Sequence, residues 1–308
     1  MSAYEKFNDI KTAYLSSLQT ITKSKNTLDK YSRVLNDFAL WLEQNDAEQT
    51  EITAVMILKY SHTVKARGAK NNTLGNYLTI LHSFFKWTIA HKFYTENPVL
   101  KEDMPKKERI EYDLLSEQEV NRILSGELPP YTQNPERTKA IVFMFLLTGL
   151  RVSELINLRV SDLDLVRGSV TVVGKGDKLR TSALPKPLVE VLQAYLTAYN
   201  KTNKNELLFN SVDDQGKQKP YTRQNITKLV EGYINRLLGH KHIGAHDLRH
   251  AFASMLITQN APLSHISKVL GHSSWETTKI YAEHLCPDKI VSEVNSVFEN
   301  LPVFATAQ

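Results

Sequence analysis

The side chains best suited to chemistry in this sequence fall into four short segments. Thr148-Gly149-Leu150-Arg151-Val152-Ser153-Glu154-Leu155 comes first, then Val173-Gly174-Lys175-Gly176-Asp177-Lys178. His246-Asp247-Leu248-Arg249-His250 follows, and Leu270-Gly271-His272 leads on to Tyr281. Arg151 and Arg249 each offer a planar fork of donors that matches the non-bridging oxygens of a phosphate. Such a pair can stabilise charge that builds up on phosphorus, by the logic of an oxyanion hole. A tyrosine phenol ionises near pH ~10 in water, so cations beside Tyr281 would help it lose its proton and attack phosphorus. Lys175, at the tip of a turn, could protonate a leaving 5′ oxygen. Two of the histidines in these segments could shuttle protons or donate to phosphate. None of these steps requires a metal or a nucleotide.

Taken one at a time, the same groups have plainer readings. Arg151 and Glu154, three apart, suit a surface helical pair. Lys175 between glycines suits a solvated turn, and Tyr281 at helical spacing suits a core position. Gly174-Lys175-Gly176 is too short for a phosphate-binding P-loop. His246 and His250 stand i, i+4, as in zinc sites of the pattern H-E-x-x-H, with His240 and His242 nearby in sequence. Asp247 replaces the general-base Glu of that pattern, and Arg249 would repel a bound cation, so the segment favours an anion.

The elements that must position these groups divide the chain. In residues 1–100 the apolar spacing is helical only. Leu28, Tyr31, Val34, Leu35, Phe38, Trp41 and Leu42 share one face, with Asn26 placed to cap. Leu74, Tyr77, Leu78, Leu81, Phe84 and Phe85 share another, and weaker stripes cover 4–19 and 53–66. Four such helices predict a small bundle. A polar stretch from Asn97 to Tyr112, with Pro98 and Pro105, reads as a linker, assigned to 101–112. Ser116 and Glu119 then have the spacing of a capping box. Ala140 to Leu147 predicts a buried helix ending at Gly149. Ser169 to Val173 and Leu179 to Leu184 predict a hairpin about the Gly174–Asp177 turn. Helices resume at Pro187, interrupted by a loop near Asp213 to Pro220. The fold class is therefore mainly α with a small β-sheet in the second domain.

Bulk properties narrow the field of functions. A net charge of +5 and a pI near 9.0 lean toward a polyanionic partner. Basic residues dominate toward the front, and the tail after Tyr281 is mildly acidic. No apolar run has the ~20 residues a membrane span needs, and the first residues lack a signal-peptide core. The single cysteine, Cys286, excludes an internal disulfide and a Cys-based zinc site. These features predict a reducing, cytoplasmic setting in a cell without compartments (bacterial or archaeal, at the nucleoid).

In order along the chain, T-G-L-R-x-S-E-L, G-K-G-x-K, H-x-L-R-H and L-G-H-x-x-x-x-T-T-x-x-Y resemble the tyrosine recombinase (phage integrase) family, most closely its Xer-type and transposon-integrase branches. All four motifs occur in sequence, over nearly the whole chain, which makes the resemblance far more specific than any one of them. It implies that Arg151, Lys175, His246, Arg249, His272 and Tyr281 are catalytic, with Lys175 the general acid and Tyr281 the nucleophile. Glu154 and His250 would support the site, and Lys178 would contact DNA phosphate. No metal or other cofactor is implied.

The resemblance further implies a helical core-binding domain over 1–100 and an α+β catalytic domain over 113–286, together clamping duplex DNA. Residues 287–308, with Val291, Val294, Val297, Phe298 and Leu301 at helical spacing, would form a tail that docks on a neighbouring protomer. The implied partners are double-stranded DNA with a short, roughly palindromic core site and three further copies of the chain, as a homotetramer on two DNA sites. The need for a second recombinase or directionality factor stays open, as does the choice between chromosome dimer resolution and mobile-element integration or excision. Two rival readings are a type IB topoisomerase and a catalytically inactive DNA-binding accessory protein.

Overall fold

The structure, a computed structural model, describes residues 2–21, 25–45, 50–108, 115–174, 178–212, 217–239 and 243–271. The chain divides into two compact units, Met1–Glu111 and Tyr112–Gln308. Among the described residues no helix is long and apolar enough to cross a membrane.

The first unit contains four helices, α1 (Ala3–Ile21), α2 (Lys25–Asn45), α3 (Ala54–Ala66) and α4 (Asn71–Ala90). Their apolar stripes meet in an aromatic core, where Phe7 packs edge-on against Phe38 at 5.1 Å and tilted against Phe84 at 4.8 Å. Rings with a polar end find partners. The Trp41 indole donates to Thr63 at 3.0 Å, and the Tyr60 hydroxyl donates to Asp37 at 2.6 Å. Asn26 does not cap α2, because that helix already runs from Lys25. The start of α4 lacks a side-chain cap from Lys70. Glu108 fills the role instead, its carboxylate accepting from the Asn71 backbone N–H at 3.2 Å at the positive end of the helix dipole. Two further bonds between Asn72 and the Glu108 backbone fasten this stretch, so residues read as linker from the sequence are held on the first unit as far as Glu108.

The second unit opens with α5 (Glu117–Leu124), whose capping box is complete: the Ser116 hydroxyl accepts from the Glu119 N–H, and the Glu119 carboxylate accepts from the Ser116 N–H. Helix α6 (Pro135–Thr148) is buried along almost its whole length, with α8 (Lys186–Ala198), α9 (Arg223–Leu238) and α10 (Ala245–Thr258) packed around it. From Ala140 onward the helix is apolar on nearly all sides because it has almost no solvent face. Between α6 and α8 lie the short helix α7 (Val152–Leu155), a 3-10 turn at Val160–Asp162, and an antiparallel sheet in the order β1 (Leu163–Asp164), β2 (Ser169–Val173), β3 (Leu179–Ala183). In the β2–β3 hairpin Val172 faces Arg180 and Val170 faces Ser182.

A second antiparallel ribbon pairs β4 (Asn210–Val212) with β5 (Gln218–Pro220), where the sequence predicts only a loop. The β5 residues are all exposed and carry no apolar alternation to announce a strand. Helix α11 (Leu263–Leu270) closes the described part of the unit.

Candidate active site

The site begins where α6 stops. Gly149 takes a left-handed conformation (φ +61°), and a Cβ there would lie 2.5 Å from the Phe252 ring and 2.9 Å from Leu270. Only glycine fits both the backbone and the space. The chain turns, buries Leu150, and presents Arg151 as the first residue before α7. Glu154 then reaches back: one carboxylate oxygen accepts from the Arg151 backbone N–H at 2.7 Å, and the other accepts from its guanidinium at 2.9 Å. The Glu154 side chain is only 3% exposed. The pair is therefore no solvated surface bridge but a buried carboxylate that fixes both backbone and head group of Arg151.

The remaining donors of Arg151 point across the unit. Its Nη2 donates to the Gly271 carbonyl at 2.9 Å. Arg249, on α10 and 1% exposed, donates to the Leu270 carbonyl at 2.6 Å and also to the Gly149 carbonyl. Both arginines thus hold the turn that ends α11. These carbonyls are the unsatisfied end of that helix, where cations are favoured.

His246 and His250 stand one turn apart on α10 with ring centroids 4.4 Å apart. His250 is buried, whereas His246 is exposed on one side of its ring and packed against α10 neighbours on the other. Burial of the rest of its ring pushes the His246 pKa below the ordinary imidazole value. The Arg249 charge adds to that shift, Asp247 opposes it, and Arg151 reinforces it. Asp247 has a different task from the metalloprotease glutamate it mimics in sequence. Its carboxylate accepts from the Gly244 N–H at 2.8 Å and so caps α10.

The fold therefore brings Arg151, Glu154, Arg249, His246 and His250 together from α7 and α10. Lys178 is exposed at the edge of the β2–β3 hairpin, where its carbonyl accepts from the Gly174 N–H at 2.8 Å. Lys175, His272 and Tyr281 lie outside the described residues.

Arg180 belongs to none of the four sequence motifs but joins the same site. Its Nη2 donates to Glu154 at 2.8 Å, and burial lowers the pKa of its guanidinium. The signal lay in strand alternation: Arg180 and Ser182 occupy the inward positions of β3, which makes Arg180 a charge on the buried face. The guanidinium forks of Arg151 and of the buried Arg249, converging on the turn after α11, are of the kind that binds a phosphate and stabilises charge developing on it.

Residues 113–286 match the phage integrase family, and residues 12–92 match the phage integrase N-terminal SAM-like domain. The chain is 33% identical over 265 residues to the tyrosine recombinase XerD of Oceanobacillus iheyensis, covering 84% of this chain and 87% of that protein. It is 31% identical over 283 residues to the XerD of Staphylococcus epidermidis, covering 89% and 93% respectively. Among solved structures, the fold is shared with the Tn1549 transposon integrase bound to transposon right end DNA (TM-score 0.74, 18% identity, 96% of this chain and 99% of that one). It is also shared with the XerH site-specific recombinase bound to a palindromic difH substrate (TM-score 0.71, 23% identity, 89% and 80%). From the two matched domains and these relatives, the chain belongs to the phage integrase family and is a tyrosine recombinase.

Proposed function

We propose that this recombinase cuts and rejoins DNA at a specific site through a covalent 3′-phosphotyrosine at Tyr281, by way of a Holliday junction and without metal or ATP. The observation that carries the reading is the convergence of Arg151 and Arg249 on the Gly271 and Leu270 carbonyls, directly before His272 and the segment that leads to Tyr281. In the proposed step the Tyr281 phenol gives up its proton to solvent, its oxygen attacks the scissile phosphorus, and the bond to the 5′ oxygen breaks. Lys175 gives that oxygen its proton, leaving a 5′-hydroxyl. Arg151 and Arg249 take up the charge on the non-bridging oxygens, with His246 and His272 donating beside them. The bond energy is kept in the phosphotyrosine, so the 5′-hydroxyl of a partner strand can reverse the step and exchange strands.

Glu154 braces Arg151, His250 supports α10 from within, and Lys178 contacts a flanking phosphate. The helical unit over 1–100 and the catalytic unit over 113–286 grip the duplex together, joined through 101–112. Four protomers hold two roughly palindromic sites, and residues 287–308 dock between neighbours. The work is cytoplasmic, at the bacterial nucleoid, and serves chromosome dimer resolution or the movement of a mobile element, with or without a second recombinase or directionality factor.

The experiment that separates this from its rivals uses supercoiled plasmids with and without a candidate site. Junctions or recombinant circles that need two sites are expected. Relaxation of a plasmid lacking any site would favour a type IB topoisomerase, and binding with no strand cleavage would favour an accessory protein.

A further inference from the structure

Glu154 is shared. One carboxylate oxygen accepts from the Arg151 guanidinium at 2.9 Å, while the other accepts from the Arg151 backbone N–H at 2.7 Å and from Arg180 Nη2 at 2.8 Å. Two cations therefore divide one buried anion. The Arg180 side chain is 11% exposed, and among the described residues its Nε and Nη1 are buried without a hydrogen-bond partner. Leaving two donors unsatisfied is costly, and a residue needed only to fill that space would be better apolar. Arg180 also packs against the turn after α11. A Cβ on Gly271 would lie 2.7 Å from Arg180 Nε and 3.0 Å from its Cδ, and 3.5 Å from Arg151 Nη1. The Gly271 backbone is thus wedged against both guanidinium groups.

We propose that Arg180 is a positioning residue of the cleavage site, which holds half of Glu154 and so leaves Arg151 a net positive charge to present to the scissile phosphate. The proposal rests on the reading of Arg151 as a catalytic arginine. With Arg180 in place, Arg151, Glu154 and Arg180 carry one positive charge between them. Without it, Glu154 neutralises Arg151 outright and can draw its fork away from the DNA. Burial and the Arg151 charge both push the Arg180 pKa down, as expected for a cation held there by Glu154 against its environment.

The test is a charge-balance series on the full chain: R180M, R180K, E154Q and E154Q/R180M. Single-turnover cleavage is measured at saturating DNA, on a duplex carrying the site recovered by covalent trapping. Loss of the charge in R180M is expected to slow cleavage about 10²-fold with DNA affinity little changed. R180K, which keeps the charge but packs no better than methionine, is expected to recover most of the rate. Removing the anion as well, in E154Q/R180M, is expected to restore the rate roughly tenfold over R180M.

Cleavage by R180M at the wild-type rate, equal rates for R180K and R180M, or simple addition of the R180M and E154Q losses would each overturn the proposal. If R180M does not fold, the double variant decides: a folded, cleaving E154Q/R180M supports the shared-anion role, and one that also fails to fold refutes it. Absence of cleavage by the wild-type chain is a different result, which overturns the reading of the whole site rather than of Arg180 alone.

Discussion

Arg151 and Gly271 stand 120 residues apart in sequence, yet the Arg151 guanidinium donates to the Gly271 carbonyl at 2.9 Å. Gly271 has φ +63°, and its backbone runs against Arg180 closely enough to leave no room for a Cβ. One hydrogen bond thus ties the turn after α6 to the turn after α11, and through it the candidate phosphate-binding wall to the segment that begins at His272.

Glu154 holds that wall together, and its loss is expected to cost both stability and cleavage. Glu154→Ala strands two guanidinium groups that now share one carboxylate. Breaking a buried pair costs about 3–5 kcal/mol, and the lower end applies because Arg151 keeps solvent access. Urea denaturation of the variant checks this, and an unchanged midpoint would show that the carboxylate does not hold the site.

Gly149 and Gly239 provide a controlled comparison. Both have left-handed backbones (φ +61° and +76°), but a Cβ at 149 would collide with Phe252 and Leu270, whereas at 239 none of the described residues lies within 4 Å. Gly239→Ala should cost only the backbone strain, about 1–2 kcal/mol. Gly149→Ala adds overpacking of a further ~1–3 kcal/mol. It also disturbs the carbonyl that accepts from Arg249, so cleavage should fall with it. Equal thermal shifts for the two variants would contradict the packing around Gly149.

His246 makes stability depend on pH in a definite direction. Its folded pKa lies below the ordinary value of 6.5, chiefly through burial and then through Arg249. The unfolded chain therefore binds the proton more tightly, and stability falls as pH drops through and below 6.5, down to the folded pKa. His246→Gln is expected to flatten the melting temperature between roughly pH 7 and 5, the span in which an imidazole titrates. Parallel curves for variant and wild type would assign the acid lability elsewhere.

Lys178 is expected to act on DNA affinity and not on chemistry, since it is exposed at the hairpin edge. Lys178→Gln should weaken binding and reduce the slope of log affinity against log salt by about 1, the signature of one lost phosphate contact. Fluorescence anisotropy over a salt series measures this. A slope that does not change, with slower cleavage at saturation, would move Lys178 into the chemical step.

Much of the fold was legible from residues whose local chemistry admits one solution. The Ser116–Glu119 box, the Gly149 stop and the β2–β3 hairpin all stand where spacing placed them. Sequence reading failed where a partner comes from elsewhere in the chain. Glu108 caps α4 from beyond the helix, and β5 exists only because β4 pairs with it. Asp247, read as part of a metal-like pattern, is spent on the end of its own helix. In the candidate site, Arg151, Glu154, His246, Arg249 and His250 are all members of sequence motifs. Arg180 was passed over because its partner, Glu154, sits on another element.

The measurement that bears most directly on the central claim is covalent trapping in cells that express the chain, with Tyr281→Phe alongside. Denatured protein–DNA complexes are purified and the attached DNA sequenced. Adducts that cluster at one short, roughly palindromic sequence and vanish in the variant are expected. Adducts that persist in Tyr281→Phe, or DNA binding by the wild-type chain with no adduct at all, would contradict Tyr281 as the nucleophile.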